Sequence, residues 1–154
     1  MRAIAGLVIA VMLSLAVGAA AQAPPQQQQI FGRWLTATKR GVVDIYACGD
    51  SVCGRLVWLI NPMRRGAPAA DDKNPDPALR QRSLCGLTML GGFRRAEPQR
   101  WTDGWIYDPD SGKTYHATMF LESAGVLQLR GYVGIPLFGE TQTWTRPDGR
   151  YGSC

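Results

Sequence analysis

Beyond residue 30 the chain is built from short runs in which apolar and polar residues alternate, broken by glycine, proline and aspartate. A period of two marks strands with one buried and one wet face. The clearest case is residues 105–121, WIYDPDSGKTYHATMFL. Its middle is a turn: Pro109 presets φ, Asp108 and Ser111 bond nearby backbone, and Gly112 accepts a positive φ. A loop of 109–112 then pairs Asp108 with Lys113, Tyr107 with Thr114 and Ile106 with Tyr115. Ile106, Tyr115, Ala117, Met119 and Leu121 share one apolar face. Trp105, Tyr107, Thr114, His116, Thr118 and Phe120 make the other, mixed face.

The same plan recurs along the chain. Strands are predicted at 31–36, 42–48, 53–60, 84–93, 101–107, 114–121, 126–133 and 140–146, with 94–100 as a loop. The segment 63–83 has no strand period, is rich in proline and is too long for a simple turn. No long amphipathic helix interrupts the series. About eight short strands joined in sequence predict an all-β fold, an antiparallel up-and-down barrel, with a two-sheet sandwich as the alternative. Closure of the barrel removes exposed edges, and eight strands leave room for packed side chains or one small ligand.

The N-terminus reads as an export signal. Arg2 is followed by an apolar run at 3–17 that is short for a membrane span, and Ala19-Ala20-Ala21 offers a cleavage site before Gln22. This gives a signal peptide at 1–21, a polar disordered linker at 22–30 and a single barrel domain at 31–154, with no integral membrane span after cleavage. The expected location is periplasmic or secreted. The net charge of +5 is spread through the loops, where Arg64, Arg65, Lys73, Arg80, Arg82, Arg94, Arg95 and Arg100 alternate with Asp71, Asp72, Asp76 and Glu97. That pattern reads as a solvated mixed surface, with an anionic cell-envelope component as the second reading. Export argues against nucleic acid as a partner.

All four cysteines lie in the barrel domain, and an even number in an exported chain reads as disulfides. If Cys48 faces Cys53 across a hairpin, Tyr46 faces Arg55, Ile45 faces Leu56, Asp44 faces Val57 and Val43 faces Trp58. Both cysteines then share the outer face, at bridging distance. Cys85 is left to pair with Cys154. Cys-x4-Cys is poor spacing for zinc, and the chain has a single histidine. Asp72, Asn74 and Asp76 alternate like the start of a calcium loop, but its glycine and closing glutamate are missing and Pro75 intervenes. Asx turns capped by Arg80 or Arg82 are the simpler reading.

Gly32-x-Trp34 on the first strand and Arg146 on the last resemble the calycin arrangement of lipocalins and their relatives, in which an early Trp packs under an Arg from the closing strand. The longer order DxxNPDPxLRxRxLxG (71–86), GWIYDPDSGKTYHA, then LRGYVGIPLFGETQTWTR resembles the exported bacterial domain-of-unknown-function family 2147 over residues 32–146. Ser83 stands where that family commonly has proline. The resemblance implies a calycin-like fold and an exported protein. It brings no catalytic residues, metal or cofactor.

Few residues suggest catalysis. His116 is the single histidine, opposite Trp105 on the outer face, and neither Gly-x-Ser-x-Gly nor a phosphate-binding loop is present. A binding module has better support. Val43, Ile45, Leu56, Trp58, Ile106, Tyr115, Ala117, Met119, Leu127 and Leu129 are expected to face the interior, a lining suited to a small apolar or amphipathic molecule. The same residues would also serve as a solid core. Trp34 and Arg146 are expected to close one end. Interaction through the Arg-rich long loop, and an uncharacterised enzyme, are the alternatives.

Overall fold

Each alternating run becomes a strand in the computed structural model, which describes residues 29–149, 151, 152 and 154. The expected signal peptide at 1–21 and linker residues 22–28 lie outside the described residues. The strands are β1 (Gly32–Leu35), β2 (Gly41–Cys48), β3 (Ser51–Leu59), β4 (Met63–Arg64), β5 (Ala67–Pro68), β6 (Thr88–Glu97), β7 (Arg100–Asp108), β8 (Lys113–Ser123), β9 (Val126–Tyr132) and β10 (Glu140–Thr145). Eight of them close an antiparallel barrel in the order β1-β10-β9-β8-β7-β6-β3-β2, and β4 with β5 forms a separate ribbon in the long connection.

Alternating strand direction gives the barrel two unlike ends. At one end the chain enters at Gln29 and Ile30, and the β2–β3, β6–β7 and β8–β9 turns are short. This end is filled. Trp34, Phe93, Trp101, Met119, Leu121 and Leu127 are all buried and belong to one cluster. Arg146 lies over the Trp34 ring at 3.8 Å. It also donates to the carbonyls of Ala124, Arg33 and Gln29. Gly32 adopts φ +96°, and a Cβ there would sit 3.4 Å from the Arg146 guanidinium, so glycine both permits the bend and leaves room for the clamp. Gly104 serves the same end: a Cβ there would run into the Phe93 ring. The opposite end, the mouth, carries the connections 36–40, 60–87, 109–112 and 133–139.

The β7–β8 hairpin has the expected register, with Asp108 opposite Lys113, Tyr107 opposite Thr114 and Ile106 opposite Tyr115. The β2–β3 hairpin differs. Gly49, at φ +63°, and Asp50 make a two-residue turn, so Cys48 pairs with Ser51 and Tyr46 with Cys53. The slip is two residues, which leaves the side chains of 43–48 and 53–56 on their expected faces. Cys48 and Cys53 are therefore diagonal rather than opposed neighbours and still bridge, with Cα atoms 5.8 Å apart. Cys85 bridges Cys154. Trp58 is a correction. Val43 pairs with Leu56 but Val42 with Trp58, so a bulge at Val57 reverses the alternation. Trp58 leaves the interior and packs edge-on against Tyr151 of the C-terminal tail, ring centroids 4.8 Å apart.

Two boundaries also move. The expected loop at 94–100 is strand, because β6 runs on to Glu97 and Arg95 pairs with Trp101. Its predicted start at 84 is instead turn, and β6 begins at Thr88. Ile30, expected to end the disordered linker, is fully buried, and its carbonyl accepts the Trp34 indole N–H at 2.7 Å. Its apolar side chain helps plug the closed end.

Candidate ligand cavity at the barrel mouth

The long connection 60–87 is tied to the barrel wall by a buried polar knot. The Tyr107 hydroxyl donates to Asp71 at 2.5 Å, and Asn74 donates to Asp71 at 2.8 Å and to the Tyr107 oxygen at 3.1 Å. Arg82 pairs at 2.8 Å with Asp71 Oδ2, the oxygen that also accepts from Asn74, and lies over the Tyr107 ring. Asp71 is fully buried and Asn74 nearly so. Burial, and then the hydrogen bond to Asp71, raise the Tyr107 pKa above its ordinary value. The remaining turn formers hold the connection's shape. Asn74 and Asp76 accept from the backbone N–H groups of Asp76 and Ala78, and Arg80 donates to the Asn74 carbonyl. These are the Asx turns expected from the sequence. Residues 69–71 and 82–84 are stitched together by backbone bonds, closing the base of the loop. A Cβ on Gly112 would collide with the Lys73 carbonyl, so the β7–β8 turn must carry glycine for the loop to lie across it. Lys73 Nζ donates to the Asp110 carbonyl at 2.6 Å, and Arg40 pairs with the Asp110 carboxylate at 3.0 Å.

This frame surrounds space that side chains leave unfilled. One cavity of about 150 Å³ is walled by Leu56, Leu59, Leu84, Met89, Ile106, Tyr107 and Trp144, with Arg40, Asn61, Arg64, Asp108 and Gln142 among its polar lining. A second, of about 180 Å³, is lined by Ile106, Asp108, Tyr115, Leu129, Gly131, Glu140 and Gln142. The two share Ile106, Asp108 and Gln142, so they adjoin. The Trp144 indole N–H donates to the Gln142 side-chain oxygen at 3.2 Å, fixing both at the cavity wall. Asp108 is engaged in its own turn, accepting from the Asp110 backbone and the Ser111 hydroxyl.

Of the ten residues expected inside, Leu56, Ile106, Tyr115 and Leu129 line these cavities. Val43, Ile45, Ala117, Met119 and Leu127 are buried in the core cluster and line neither one. Trp58 faces away, as described. Sequence reasoning missed Met89, Leu84, Tyr107, Gln142 and Trp144. Met89 and Trp144 lie in strand-like runs and could have been placed by alternation. Leu84 and Tyr107 reach the cavity through the folded loop, which no periodicity reports. His116 is exposed on the outer face opposite Trp105, its ring 5.8 Å from that of Tyr132. Among the described residues no three His, Cys, Asp or Glu side chains converge as metal ligands.

Residues 32–146 match the family described as "Uncharacterized protein conserved in bacteria (DUF2147)". A solved structure, protein HP1028 from Helicobacter pylori, described as belonging to the lipocalin family, superposes with a TM-score of 0.66 at 22% sequence identity. The match covers 76% of this chain and 82% of that one. At that identity the likeness concerns the fold, and it agrees with the closed eight-stranded barrel. No curated protein matches this chain.

Proposed function

The chain belongs to the bacterial family DUF2147, and from that premise we propose that it is an exported, lipocalin-like protein that binds one small amphipathic molecule in the barrel mouth. The observation that carries this reading is the pair of adjoining, mostly apolar cavities beneath the mouth connections, whereas the pocket at the closed end is mostly polar. Leu56, Met89, Ile106, Leu129 and Trp144 offer an apolar wall, while Gln142 and Asn61 stand where a polar end would be oriented. Ligand pockets usually hold about 300–1,000 Å³, so two cavities of this size suit a small molecule rather than a long acyl chain. The two disulfides support an oxidising compartment, the periplasm or beyond. Among the described residues no helix is long and apolar enough to cross a membrane.

The Arg-rich loop supports an anionic partner less well. Arg64 pairs with Asp72, Arg80 with the Asn74 carbonyl and Arg82 with Asp71, so these three charges are engaged within the loop. Catalysis also has weak support, because His116 makes no side-chain hydrogen bond among the described residues and, although it follows the cavity-lining Tyr115, lies on the outer face opposite Trp105.

Native mass spectrometry of protein purified from its own host tests the proposal. The expected spectrum contains a non-covalent adduct that is absent from Ile106→Trp, in which the indole fills the space shared by both cavities. An adduct-free wild type that also takes up none of a panel of small amphipathic molecules would contradict it.

A further inference from the structure

The connection between β9 and β10 presents its apolar side chains to solvent. Val133, Leu137 and Phe138 are 72%, 75% and 79% exposed, values close to free side chains, and Ile135 is 53% exposed. A loop left apolar by accident would fold back onto the open, partly apolar mouth beside it. This one is held away. Arg130 donates from Nε to the Pro136 carbonyl at 2.7 Å, and from its two terminal nitrogens to the Thr141 hydroxyl at 2.8 Å and the Leu137 carbonyl at 3.1 Å. The 3-10 turn Pro136–Phe138 is thereby fixed, with Pro136 limiting its backbone freedom. On the far side of the mouth Ile60 and Met63 are also more than half exposed.

Charge accompanies these groups. Lys39 lies in the β1–β2 connection, beside β10 in the barrel order, and Arg65 lies at the tip of the β4–β5 ribbon. Both are exposed, both adopt a positive φ at a turn, and neither makes an ion pair among the described residues.

We infer that the barrel mouth docks on an anionic lipid surface, with Leu137 and Phe138 entering the acyl boundary and Lys39 and Arg65 meeting the headgroups. Separate prongs on a short turn favour lipid over a second copy of the chain. A stable protein interface needs a broad complementary face of about 1,200 Å² or more, whereas insertion into a bilayer needs only apolar side chains that stand clear and cations beside them. Docking at this end would place the cavity against the membrane, so that an amphipathic ligand could pass between them without crossing water. The docking itself does not require an occupied cavity, so it stands or falls separately from ligand binding.

The test is co-sedimentation of the oxidised protein with sucrose-loaded vesicles of phosphatidylglycerol and phosphatidylcholine, against vesicles of phosphatidylcholine alone. Wild type is expected to pellet with the anionic vesicles and to lose that preference in high salt. Leu137→Ser combined with Phe138→Ser should weaken partitioning by about tenfold or more, and Lys39→Glu combined with Arg65→Glu should remove the anionic preference. These side chains are exposed, so the fold should survive. Phe138→Trp supplies a second reading, with indole fluorescence quenched by brominated lipid. Wild type that stays in the supernatant, a serine variant that pellets equally well, or an unquenched Trp would each overturn the proposal. So would a dimer in sedimentation velocity that the serine variant dissociates while neither protein pellets, which would assign the prongs to self-association.

Discussion

The two ends of this barrel are held by different physics. At the closed end Trp34, Phe93 and Trp101 fill the interior, and Arg146 covers the last ring. Stability there comes from burying large apolar surfaces and from one guanidinium stacked on an indole, its pKa lowered by burial. At the mouth the core is hollow, and the strands are braced from outside by a charged knot in which Asp71, Asn74, Arg82 and Tyr107 satisfy one another. Where side chains leave space unfilled, stability cannot come from packing it. A polar network anchored on the outer face of β7 offers rigidity without taking that volume. The disulfides follow the same division: Cys48–Cys53 staples a closed-end hairpin across a sequence separation of 5, whereas Cys85–Cys154 ties the tail to the start of β6 across 69.

The largest expected effect is at the knot. Asp71→Ala leaves the Tyr107 hydroxyl, the Asn74 amide and the Arg82 guanidinium without their shared acceptor. The expected loss is about 3 kcal/mol, at the low end for a broken buried pair because Arg82 keeps some access to water. Urea unfolding measures it, and proteolysis should cut first within the released connection 60–87. A variant with an unchanged midpoint would mean that the knot does not brace the mouth.

At the closed end the expected effect is smaller. Arg146→Ala removes the stacking on Trp34 and three carbonyl contacts from a half-buried site, which should cost about 1–2 kcal/mol. Arg64→Ala, at an exposed ion pair 3.8 Å long, is expected to change stability by less than about 0.5 kcal/mol. Equal shifts in the two urea midpoints would remove the distinction between a structural and a solvated arginine.

The legibility of these regions in the sequence also differed. The 108–113 turn has chemistry that permits one register, and that register is observed. Around Cys48 the residues Gly49, Asp50, Ser51 and Val52 permit two, and a slip of two residues keeps every face, so hydrophobic alternation has no power to choose. The bulge at Val57 leaves no mark in composition, and Trp58 was misplaced for that reason. Tyr107 sits on the outward side of β7 and is buried only because the folded loop covers it, a tertiary effect beyond any local period. The cavity itself was legible only as a list of inward positions. Alternation says which side chains point in, but whether they meet in the middle depends on the summed volume of eight strands. In the lower half, tryptophans and phenylalanine pack the centre and leave a mostly polar pocket at the rim; in the upper half, Gln142, Gly131 and Ile106 leave mostly apolar space inside.

Uptake of the small apolar fluorophore N-phenyl-1-naphthylamine, measured beside thermal unfolding, separates a hollow upper half from a packed one. Wild type is expected to bind the probe saturably. Ile106→Trp places an indole in the hollow half, so it should abolish uptake while changing stability by less than about 1 kcal/mol. Met119→Trp places the same group in the filled half, where overpacking should cost about 1–3 kcal/mol and leave uptake by the folded fraction intact. No uptake by wild type, together with equal destabilisation by the two substitutions, would show a barrel packed alike from floor to mouth.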